Sequence, residues 1–151
     1  MNFPVTRLRR KRQSGNALIE FALAFSFLFP VLTGTFQFGY AFFLYNELRN
    51  AVRQGARYAA FKTYDSSSAT PSTAFSNSVK NVVVYGNPGG GTVPIVPSLT
   101  TANVNLQVTY VSGVPGMMTV SIQNYTLDAF LRTFSISKPA ASFSFVGVYA
   151  P

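Results

Sequence analysis

The sequence predicts an α+β protein: one long N-terminal helix, apolar and then amphipathic, packed on a small antiparallel β-sheet. Three observations carry this. Leu18–Tyr45 is a 28-residue apolar run with a single charge, Glu20. Asn46–Lys62 continues with helical periodicity. Further along, short runs alternate apolar and polar residues, the period of half-buried strands.

As a helix, Leu18–Tyr45 spans about 42 Å, more than the roughly 30 Å of bilayer hydrocarbon. A chain of 151 residues is too small to surround such a helix on all sides. The run is therefore a transmembrane segment, about residues 18–45. Pro30 removes one backbone hydrogen bond and predicts a kink a third of the way along. Ahead of the run stand Arg7, Arg9, Arg10, Lys11 and Arg12 with no acid among them. Such charge stays cytoplasmic, so everything past about residue 45 is exported. A cleavable secretory signal would be shorter and end in small residues. Here the helix runs on instead, over about 16–62.

In that continuation Leu44, Leu48, Ala51, Val52, Gly55 and Ala59 share one face. Arg49, Arg53 and Arg57 form a stripe on another. Gly55 in mid-helix costs up to about 1 kcal/mol relative to alanine, which close packing against the sheet would explain. The arginines are a solvated face, or a contact to lipid phosphates or to an acidic patch on a neighbour. Like charges four residues apart cost about a few tenths of a kcal/mol each.

Residues 63–78 are Ser/Thr-rich with one proline and are predicted to be a linker. Residues 79–151 form the exported β module. Its strand candidates are Val79–Tyr85, a weaker Thr92–Val96, Val104–Tyr110, Met118–Tyr125, and a last one carrying Phe143, Phe145 and Val148. Val114–Gly116 is the predicted hairpin turn, and Leu127–Phe134 a short helical turn. Asn87–Gly91 is a flexible turn and not a phosphate loop, since no Gly-Lys-Ser/Thr follows. The sheet's apolar face needs a cover, and the second half of the long helix is available.

Composition narrows function. Without cysteine or histidine there is no disulfide, no thiolate or imidazole metal site, and no His- or Cys-based nucleophile pair. The only carboxylate side chains are Glu20, Glu47, Asp65 and Asp128. No catalytic residue, metal or cofactor is expected, and the protein is not expected to be an enzyme. The net charge of +8 would suit nucleic acid, but five of those charges sit directly before a membrane span, so no nucleic-acid partner is expected.

The junction reads RLRRKRQSG, then NALIEFALAF. A basic segment, Gly15, four residues, Glu20, Phe21 and an apolar helix resemble the leader of type IV prepilins. The resemblance implies a leader of residues 1–15, cut between Gly15 and Asn16 by a membrane-embedded prepilin peptidase. It also implies a type IV pilin-like fold, in which Glu20 pairs with the freed α-amine of a neighbouring subunit. A carboxylate inside hydrocarbon is costly without a partner. The competing role is a cap on the helix N-terminus.

Residues 15–61 resemble more narrowly the TadE-like family of small prepilins from tight-adherence pilus systems. The matching positions are Gly15, Glu20, Phe21, Ala22, Leu23, Leu48, Ala51 and the segment Arg53-x-Gly55-Ala56-Arg57-Tyr58-Ala59. Pro30 lies further from the glutamate than the usual proline of that family. The resemblance implies a minor pilin or pseudopilin in the bacterial inner membrane, single-pass with its N-terminus cytoplasmic. It would then be incorporated into a pilus at the cell surface, for adhesion or secretion. Its implied partners are the peptidase, other pilin subunits and assembly machinery, membrane lipid, and further copies in a homo-oligomeric filament. The alternative is an uncleaved single-pass anchor carrying an exported binding module.

Overall fold

Helix α1 runs from Ser14 to Phe61 without interruption and carries Pro30 inside it. The computed structural model describes residues 14–129, 132–136 and 139–151. The basic leader, apart from Ser14 and Gly15, lies outside the described residues. The chain divides into two units, one up to Phe38 and one from Gly39 to Pro151.

The first unit is the apolar part of α1. Its large side chains face outward; Phe27 is 79% exposed and Phe38 76%. Phe21, Phe25 and Phe29 are four residues apart and stack in sequence, with ring centroids 6.0 and 5.3 Å apart. The hydroxyls are satisfied within the helix. Ser26 Oγ donates to the Ala22 carbonyl at 2.7 Å, and Thr33 and Thr35 donate to Phe29 and Val31 at 2.8 Å. In hydrocarbon this matters, because no water is there to take the bond.

The second unit is built round the remainder of α1. Leu44, Leu48, Ala51, Val52, Ala56, Ala59 and Ala60 are buried on it. They share one apolar core with helix α2 (Thr73–Tyr85) and with strands β1 (Val104–Val111) and β2 (Val114–Ile122). Strand β5 (Ala140–Ser144) completes an antiparallel sheet of order β1-β2-β5. Strands β3 (Tyr125–Ala129) and β4 (Arg132–Ile136) form a separate antiparallel ribbon. The long helix packs on the sheet, as the α+β class predicts.

Several elements differ from the sequence expectation. Val79–Tyr85 is helical, not a strand, and α2 takes the end of the Ser/Thr-rich segment with it. The β-branched run Val82–Val84 favours a strand locally. Tertiary burial of Phe75, Val79, Val82 and Val83, spaced as one helical face, outweighs it. Both ends are capped: Ser72 Oγ accepts from the Phe75 N–H at 3.0 Å, and Gly86 closes the helix in the left-handed region at φ 70°. Thr92–Val96 forms no strand. It belongs to a segment held by the Ile95 N–H on the Val84 carbonyl at 2.7 Å and the Tyr125 hydroxyl on the Pro97 carbonyl at 2.8 Å. Asn87–Gly91 is a turn, but it is fastened. Asn81 Nδ2 donates to the Pro88 carbonyl at 3.2 Å, and Asn87 Oδ1 accepts from the Gly89 N–H at 2.9 Å.

The β1–β2 turn is Ser112-Gly113, both at positive φ (53° and 82°), rather than Val114–Gly116. Two left-handed residues make the tight turn that matches strand twist. Pro115 then falls opposite Tyr110, where the register shifts, a position that tolerates a missing N–H. Leu127–Phe134 is no helical turn: Leu127 pairs with Phe134 across the β3–β4 ribbon, and Tyr125 and Leu127 are buried with period two.

The last segment closes the unit. Beyond β5 the chain leaves the sheet, and the Val146 and Gly147 N–H groups both donate to the Ala60 carbonyl, at 3.0 and 2.9 Å. They satisfy a carbonyl that the end of α1 leaves without a partner in the helix. Only glycine fits at 147, since a Cβ there would sit 2.6 Å from the Lys62 carbonyl oxygen. Tyr64 bridges in parallel to Tyr149 through the Tyr64 N–H on Val148 and the Ala150 N–H on Tyr64.

Tyr64 is fully buried, edge-on to Phe75 at 5.1 Å, and donates to the Ser68 carbonyl at 2.8 Å. Tyr110 donates to the Ser66 carbonyl at 2.8 Å. Burial raises both phenols above their usual value, helped at Tyr110 by its neighbour Tyr149. The neutral form is thus favoured in the fold, while unfolded tyrosines ionise near about pH 10. Their stabilising contribution is complete below that pH and is lost as pH rises toward the native values. The denaturant midpoint of the second unit, followed by circular dichroism on the full chain in detergent, is expected to be flat up to about pH 9 and to fall above it. Tyr64→Phe is expected to cost about 1 kcal/mol at neutral pH, the value of one hydrogen bond, and to make the alkaline fall shallower.

Candidate functional site

The candidate residues lie along α1. Gly15 and Asn16 occupy its first turn and are exposed. A Cβ at Gly15 would meet none of the described residues within 4 Å, so packing among them gives no reason for glycine at this position. Glu20 is exposed on α1, about one turn beyond Asn16. Phe21, 67% exposed, starts the Phe21–Phe25–Phe29 stack.

The four residues proposed as a second contact divide. Gly55 is buried, and its neighbour is α2 rather than the sheet. A Cβ there would overlap Val83 Cγ2, with the Val79 carbonyl oxygen 3.7 Å away. The sequence held a signal for this neighbour in the apolar spacing 75, 79, 82, 83 between Ser72 and Gly86. Arg49, Arg53 and Arg57 are exposed. Two residues apart on a helix is about 200° of rotation, so Arg53 faces away from the side that Gly55 presses on α2. The Arg57 guanidinium lies 5.9 Å from the centroid of the Phe61 ring.

Among the described residues α1 is the one helix long and apolar enough to cross a membrane. It is compatible with a single-pass anchor.

The packing at Gly55 is testable. Gly55→Ala is expected to lower stability by about 1–3 kcal/mol through overpacking. Val83→Ala in the same chain makes room, so the double variant should recover part of that loss. Strict additivity of the two single changes, measured by denaturant unfolding, would exclude the contact.

The model of the TadE-like protein family matches residues 15–57. The match begins at Gly15, takes in Glu20 and ends at Arg57, within the 15–61 stretch of the resemblance seen in the sequence. No curated protein and no solved structure matches the chain. The TadE-like match points to a pilus-associated protein, and it does so through α1 alone.

Proposed function

We propose that this TadE-like chain is a pilus structural subunit, a minor pilin or pseudopilin, processed after Gly15 and assembled through the apolar part of α1. The observation that supports this most is the juxtaposition at the head of α1. Gly15, where a Cβ would meet none of the described residues within 4 Å, and Glu20, five residues on, lead a helix whose large apolar side chains are exposed. The role is packing, with no chemistry of the chain's own.

The membrane placement follows from length. Twenty residues separate Glu20 from Tyr40, and twenty helical residues span about 30 Å, the thickness of bilayer hydrocarbon. Glu20 then lies at the cytoplasmic edge. Tyr40, Phe42, Phe43 and Tyr45 lie at the outer edge, as an aromatic belt does. Lipid covers the apolar surface of the lone subunit, and neighbouring helices cover it after assembly. A prepilin peptidase would cut on the cytoplasmic side, and the freed amine of Asn16 on one subunit would meet Glu20 of another.

Gly15→Asp is expected to block maturation, leaving the leader attached to membrane-bound precursor. N-terminal mass spectrometry reads this directly, and normal processing of that variant would remove Gly15 as the cleavage site. If the wild-type chain keeps its leader in cells that process other prepilins, it is an uncleaved anchor carrying a binding module.

Glu20→Ala should insert and be cleaved normally, since removing a charge eases insertion. Assembly should suffer, because one partner of a buried pair is then left alone at a cost of about 3–5 kcal/mol. That corresponds to roughly a hundredfold or more in incorporation. Glu20→Gln keeps shape and hydrogen bonding but loses the charge. Wild-type incorporation of both cleaved variants, counted with tagged subunit, would end the amine-pairing role.

A further inference from the structure

We propose that Arg49, Arg53 and Arg57 form a docking strip for an acidic helix of a different protein, one presenting carboxylates at the same four-residue spacing. The proposal rests on the membrane-anchored orientation given above. The three guanidinium groups are exposed and lie on successive turns, about 6 Å apart along the axis. Their direction is fixed, because burial of Leu48, Val52, Gly55 and Ala59 locks the rotation of α1 in the second unit. No position three or four residues away from any of them holds an acid. The strip therefore bears mutual repulsion that nothing on its own helix face relieves.

Lipid phosphate does not fit this geometry. From Tyr45 at the outer edge of the aromatic belt, Arg49, Arg53 and Arg57 stand about 6, 12 and 18 Å further out. The headgroup layer of one leaflet is only about 5–8 Å thick. At least Arg53 and Arg57 are beyond it. A second copy does not fit either. The chain's carboxylate side chains are Glu20, Glu47, Asp65 and Asp128, and no two are four residues apart. Glu20 is in the apolar run, and the Asp65 carboxylate accepts the Ser72 hydroxyl at 2.7 Å. What fits is a row of carboxylates with a helical repeat, each able to accept two N–H bonds from a planar guanidinium. Arg57 is already positioned for this by the Phe61 ring beneath it.

The test uses the full chain in neutral detergent and a labelled helical peptide with glutamates at i, i+4 and i+8. A control peptide of the same composition has its glutamates spread round the helix. The matched peptide is expected to bind about tenfold or more tighter than the control, with affinity falling as salt rises. Changing all three arginines to glutamine should abolish the preference while leaving the thermal midpoint unchanged. Changing them to lysine should keep salt-sensitive binding but reduce the preference, since the planar fork is lost. Equal binding of the two peptides, or a preference that survives the glutamine variant, would overturn the proposal. So would arginine-dependent binding to phosphatidylglycerol vesicles with no preference between peptides, which would return the strip to lipid. Peptide binding is read on purified chain whatever the state of the leader. Its failure leaves the pilin reading standing, and an uncleaved, unassembled chain with a normal peptide preference would remove the pilin reading alone.

Discussion

The second unit depends on the burial of one stripe of α1, from Leu44 to Ala60. Leu48, Val52, Ala56 and Ala59 on that stripe have no exposed surface, and the core that covers them draws on α2, β1, β2 and the turns between. The stripe is built mostly of small residues. Four alanines and Gly55 keep the helix surface low, so α2 approaches near enough that a methyl group at position 55 would strike Val83. Small side chains contribute little apolar area each, but they permit close contact, and close contact gains dispersion along the whole interface. The rotation of α1 follows from this, and with it the outward placement of the arginines.

The same helix meets two solvents. In the first unit its apolar side chains point outward and its hydroxyls fold back onto carbonyls one turn earlier, which suits hydrocarbon. From Leu48 to Ala60 the apolar side chains turn inward and the exposed positions carry arginine, asparagine and glutamine. Composition changes along α1 while the helix continues, save for the one backbone bond that Pro30 cannot donate. The Pro30 ring is accommodated within α1.

The long helix, its two halves and its buried face were legible in the sequence because they rest on strong periodicity over many residues. Strand β1 was legible from Val104, Leu106 and Val108 alternating with Asn105 and Gln107, and β2 in part, from Val120 and Ile122, with its start placed too late and Tyr125, which begins β3, drawn into it. Helix α2 was not. Val82-Val83-Val84 carries a local preference for extended structure, and only the spacing of Phe75 and Val79 ahead of it reports the helix. The β3–β4 ribbon was missed because Leu127 and Phe134 are close in sequence and equally compatible with a helical turn. Of the site, Gly15 and Glu20 were legible as a spacing motif. Gly55 was legible as an anomaly whose neighbour was misassigned, because a close approach says nothing of which element makes it. The closure at Ala60 had no local signature, since Val146 and Gly147 meet it from the far end of the sequence.

That closure bears on the order of events during synthesis. The N–H groups that finish α1, and the residues that bridge to Tyr64, lie about 85 residues further along the chain, so they leave the ribosome well after α1. Until they arrive, the Ala60 carbonyl lacks these partners and Tyr64 has no parallel neighbour. The second unit therefore completes its core only after these residues have been made, with the loop-closure entropy of the intervening residues still to be met. Because the sequence holds no cysteine, that completion waits on no disulfide and needs no oxidant.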